Sequence, residues 1–140
     1  MKYRKHKDFT VSEVGIGCYA LSGAYGAKDV KEFKQMLDHA HDLGVNFFDT
    51  ADTYGNAERI LGETVKPYRD DVHIATKVGV KGEGEGEGRD VKPDLSGKYV
   101  KFACEQSLKR MQTDYINLYQ VHFDDPDTSI EETVDALEIL

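Results

Sequence analysis

Short runs of strand-type apolar residues alternate along the chain with longer stretches whose apolar positions recur every three or four residues. Val14-Gly15-Ile16-Gly17-Cys18-Tyr19-Ala20-Leu21, Val45 to Phe48, Val72 to Gly79 and Tyr115 to Val121 have the near-continuous apolar content of strands covered on both faces, the habit of parallel sheets. Between them, Val30, Phe33, Leu37, Ala40 and Leu43 fall at helical spacing. Ile60, Leu61 and Val65 do the same, then Val100, Ala103, Leu108 and Met111, then Ile130, Val134, Leu137 and Leu140. Helix ends are marked too. Asp29 with Glu32 has capping-box spacing, Gly44 reads as a stop, Asn56 and Ser96 as caps and Pro67 as a terminator. Thr128 with Glu131 and Ser129 with Glu132 open a last helix for which no stop signal follows, in keeping with a chain cut in mid-fold. Residues 3–11 predict a short hairpin or an irregular lead-in.

Strand–helix units in succession predict a parallel sheet with right-handed crossovers, hence an α/β fold. An open doubly wound sheet would carry a glycine fingerprint after its first strand. Here polar residues instead close strand after strand, with Asp49 ending the second, Lys77 the third and His122 the fourth. That is where a (β/α)8 TIM-type barrel puts its chemistry. A full barrel takes about 250 residues, so the 140 residues read as a single domain, 1–140, forming about half of one.

Composition narrows the class. Hydrophobic residues at 39% and charged residues at 31% fit a soluble globular protein, and no apolar run approaches the roughly 18 residues of a membrane span. The basic start of the chain runs into Asp8-Phe9-Thr10 rather than an apolar segment, so no secretory signal is expected and the expected compartment is the cytoplasm. Cys18 and Cys104 match no metal or disulfide spacing and are expected reduced and buried. A formal charge of -8 speaks against nucleic acid as a partner. The Gly-Glu alternation from Gly82 to Gly88 predicts a mobile, solvated loop whose carboxylates would repel phosphate.

Asp49, Tyr54, Lys77 and His122 gain meaning as a group. Singly, a strand-end Asp is often a helix cap, a loop Tyr packing, a Lys a rim charge and a His a core residue. Barrel geometry brings all four to one rim. A phenol, with a reference pKa of about 10, needs nearby positive charge to give up a proton at neutral pH, and Lys77 can supply it. Asp49 would hold Lys77 charged and oriented, and neutral His122 would position a carbonyl oxygen. The arrangement fits carbonyl reduction.

Through Phe48-Asp49-Thr50-Ala51-Asp52-Thr53-Tyr54-Gly55, Ile74-Ala75-Thr76-Lys77 and Asp114 to His122, the chain resembles the aldo-keto reductase family along its whole length. The resemblance implies NADPH-dependent reduction of aldehydes or ketones, with no metal. Tyr54 would be the general acid, Asp49 and Lys77 its tuners, and His122 the residue orienting the substrate. It also places Gly17, Cys18 and Tyr19, with Asp49, beside the cofactor. Tyr19, Tyr25 and Phe123 would line an aromatic pocket with Tyr54 and His122. The family commonly shows Thr-Trp where Cys18-Tyr19 stands, and Trp at Phe123, so a differently shaped pocket is expected.

In the family the residues gripping the carboxamide, pyrophosphate and adenosine phosphate come from the second half of the barrel. The expectation is therefore weak NADPH binding by a monomer, and a homo-oligomer formed through exposed barrel edges. The competing reading is a non-catalytic half-barrel acting as a binding or assembly module. A metal-dependent hydrolase using His122, Asp124 and Asp125 ranks below both, because His39 and His41 lie two residues apart on a helix and share no face.

Overall fold

The computed structural model describes residues 1–7, 9–27, 29–81 and 92–140. The Gly-Glu segment lies outside the described residues. The lead-in is an antiparallel hairpin, β1 (Tyr3–His6) with β2 (Phe9–Ser12). Asn46 ties it to the body, accepting from Ser12 N at 2.7 Å and donating to Thr10 O at 2.9 Å.

The centre is a parallel sheet in the order β3 (Ile16–Gly17), β4 (Phe47–Asp49), β5 (His73–Val78) and β8 (Leu118–Val121). Strands add in chain order, as right-handed βα units require. A two-residue antiparallel ladder, β6 (Val80–Lys81) with β7 (Lys92–Pro93), follows β5. The helices are α1 (Val30–Asp42), α2 (Ala57–Val65), α3 (Gly97–Met111) and α4 (Ile130–Glu138). Their caps follow the sequence closely. Asp29 accepts from Lys31 N and Glu32 N, Ser96 from Tyr99 N and Ser129 from Glu132 N. Leu43 ends α1 before Gly44, whose φ of +89° is the left-handed conformation that suits glycine at a helix stop. Asn56 holds the cap position of α2 without a side-chain capping bond.

Two core clusters form between sheet and helices. One gathers Leu37, Phe48, Ile60, Leu61, Val65, Ile74 and Met111; the other gathers Val78, Leu95, Val100, Ala103 and Ala136.

Two expectations change. The run from Val14 to Leu21 is a strand only at Ile16–Gly17; Cys18–Ser22 is a 3₁₀ turn. Cys18 and Leu21, both fully buried, stand three residues apart, and three per turn puts them on one face. Helix α4 spans Ile130–Glu138. Its buried face is Thr133 and Ala136, whereas Ile130, Val134 and Leu140 are exposed. Small residues decide this: Gly97 of α3 lies where a side chain would come within 3.5 Å of the Ala136 Cβ, so the two helices meet along that line.

Candidate active site

Asp49 is the last residue of β4, paired with Gly17 on one side and Ala75 on the other. Lys77 lies two residues along β5 from Ala75, on the same side of the sheet. Its Nζ donates to both Asp49 carboxylate oxygens, at 2.7 and 2.8 Å, and to the Thr50 carbonyl at 2.7 Å. An ammonium has three protons, so Lys77 is fully engaged and fixed in direction.

The loop after β4 folds over this pair. Tyr54 N donates to Ala51 O and Ala57 N to Tyr54 O, two turns that carry the phenol ring back over the strand ends. The ring centroid lies 5.2 Å from Lys77 Nζ, inside the distance at which an ammonium feels an aromatic face. Tyr19 meets it edge-on at 5.0 Å and His122 at 5.8 Å, while Tyr25 packs on Tyr19 at 5.6 Å and Phe123 on His122 at 4.3 Å. Tyr25, Tyr19, Tyr54, His122 and Phe123 thus form one aromatic arc. Tyr19, Tyr25 and Phe123 are exposed.

His122 N donates to Val78 O, which places the imidazole just past β8. Burial holds its pKa below the ordinary value of 6.5; the Lys77 charge adds to this and Asp49 opposes it. The ring is therefore neutral at pH 7. Its Nδ1 is buried with no hydrogen-bond partner among the described residues.

The structure thus brings Asp49, Tyr54, Lys77, His122, Tyr19, Tyr25, Phe123 and Gly17 to one rim. Cys18 is the exception. It is fully buried, and burial first, then Asp49, pushes its thiol up to about 12, with Lys77 opposing. Its side chain packs under the site rather than facing it. Asp125 is equally unavailable as a metal ligand: its carboxylate accepts from Thr128 Oγ1, Leu95 N and Asp127 N, which holds its pKa below the usual 3.8. The Thr50 carbonyl was missed from sequence, since a backbone acceptor leaves no signal there.

A profile of the aldo/keto reductase family matches residues 13–140. The chain belongs to that family. In structure, this reductase-family chain is similar to the holo form of an aldo-keto reductase from Bacillus halodurans: 40% identity and a TM-score of 0.87, over 100% of this chain and 46% of that one. In sequence it is 41% identical to the uncharacterized oxidoreductase YqkF of Bacillus subtilis, over 95% of this chain and 42% of that protein. It is also 37% identical to a probable voltage-gated potassium channel subunit beta of Arabidopsis thaliana, over 91% of this chain and 38% of that protein. The chain spans less than half the length of these relatives. Among its described residues no helix is long and apolar enough to cross a membrane.

Proposed function

We propose that this chain carries the proton-donating half of a site that reduces aldehydes or ketones to alcohols with NADPH. The Asp49–Lys77 ion pair beside the Tyr54 ring carries the reading. As the substrate's carbonyl carbon is reduced, its oxygen takes a proton from the Tyr54 hydroxyl, and the fixed Lys77 charge stabilises the phenolate left behind. Asp49 keeps that charge in place, and neutral His122 offers an N–H toward the carbonyl oxygen.

The residues present fit the nicotinamide end of the cofactor. Gly17, opposite Asp49, has open space where a side chain would stand, and the buried His122 Nδ1 awaits a partner. The bound cofactor would supply the hydride. Lys77, with every proton committed, has none to spare for phosphate. The choice of NADPH over NADH follows the family resemblance. Two free, buried cysteines suit a cytoplasmic setting, and the acidic chain suits neither nucleic acid nor a membrane.

NADPH titration by fluorescence, with mass fixed by light scattering, followed by consumption of NADPH with a small aldehyde, tests this reading. Turnover that disappears in Tyr54→Phe supports it, and absence of NADPH binding at millimolar concentration overturns it. A second reading, a binding or assembly module, draws on the open edges of the sheet, where Val14, Leu118, Val121 and Phe123 are exposed.

A further inference from the structure

Behind the sheet, on the side away from Lys77, lies a buried charge that the proposed chemistry does not touch. Glu58, in the first turn of α2, is 1% exposed. One carboxylate oxygen accepts from Thr76 Oγ1 at 2.6 Å and the other from Arg110 Nε of α3 at 2.5 Å. Arg110 in turn donates to Ser107 Oγ at 3.0 Å. Thr76 immediately precedes Lys77, and side chains alternate along a strand, so Glu58 grips β5 from outside at the residue next to the one that faces the rim.

Taking an ion pair out of water costs several kcal/mol per charge, and a well-packed apolar pair is often as stable or more so. Stability alone is therefore a weak reason for a glutamate here. Its place in the chain suggests a better one. Glu58 stands four positions after Tyr54, and the turns at Ala51 to Ala57 transmit the position of the α2 start to the phenol ring.

We propose that Glu58 is a positioning residue: by joining the first turn of α2 to Thr76 it fixes the Tyr54 loop relative to the strand that carries Lys77. The proposal rests on reading Tyr54 and Lys77 as the acid pair. Arg110 holds the carboxylate aimed at the strand, and Thr76 is the point of attachment.

Three variants test it: Glu58→Gln, Thr76→Val, which leaves the Glu58–Arg110 pair intact, and Thr76→Ser, which restores the hydroxyl. Two quantities are read, kcat for carbonyl reduction and the NMR titration midpoint of His122. The midpoint reports on the placement of the Tyr54 loop because burial first, then the Lys77 charge, lowers it, with Asp49 opposing, and the Tyr54 ring packs against that imidazole. A misplacement near 1 Å costs on the order of 100-fold in rate, so Glu58→Gln and Thr76→Val should lower kcat between about 10-fold and 100-fold. They should also move the His122 midpoint up as the Tyr54 ring shifts off the imidazole and water reaches it, and Thr76→Ser should return both to wild type. Variants that melt earlier yet keep the wild-type midpoint and kcat would overturn the proposal and leave Glu58 a packing residue. Should the wild-type chain reduce no carbonyl, the proposed function fails by itself, and the His122 midpoint still decides whether Glu58 positions the pair.

Discussion

In the proposed reaction Tyr54, Lys77, Asp49 and His122 divide the work by what each can hold. Removing the hydroxyl in Tyr54→Phe takes away the proposed proton donor and leaves no buried charge behind. Turnover should fall by about 100-fold or more, while folding stability stays within about 0.5 kcal/mol, read by steady-state rates and urea melts on one preparation. His122 makes a pH prediction. Its folded pKa lies below the unfolded 6.5, so between those values the unfolded chain binds the extra proton. The neutral ring's contribution is thus complete above 6.5 and is lost as pH falls toward the folded pKa. Melting curves across that window should show stability dropping with pH, and the drop should shrink in His122→Gln. A midpoint for His122 at or above 6.5 by NMR would contradict the burial described.

Elements are held by caps and by close approaches at glycine. Ser96→Ala removes the bond to Tyr99 N that opens α3, at a cost of about 1 kcal/mol. Gly62 matters more. A side chain on it would overlap the Met111 carbonyl at the end of α3, and backbone cannot swing aside as a flexible side chain can. Gly62→Ala should destabilise by about 3 kcal/mol or more, whereas the open position Gly17 should accept alanine with far less loss of stability. Parallel thermal melts of the two variants distinguish these outcomes.

On the scale of the molecule, the sheet ends in β3 on one side and β8 on the other, with Val14, Leu118, Val121 and Phe123 exposed at its margins. Unpaired strand edges invite association. The 140-residue chain studied alone should therefore self-associate at micromolar concentration, and Val121→Lys on β8 should shift it toward monomer in light scattering. A wild-type chain that stays monomeric there would remove the support for the assembly reading.

The alternation of strand-type runs with helical periodicity, and the polar residue closing each strand, determined the α/β order and pointed to Asp49, Lys77 and His122, because both signals are local. Caps such as Asp29, Ser96 and Ser129 were legible for the same reason: each bonds a backbone group two or three residues away. Only the tertiary structure decided that α4 buries Thr133 and Ala136 while Ile130 and Val134 stay exposed, and that Glu58 reaches Thr76 and Arg110. Glu58 and Arg110 stand 52 positions apart, and their meeting depends on how two helices pack over a strand. Hydrophobic periodicity records which face of an element prefers to leave water; it carries no information about which distant side chain will be waiting there.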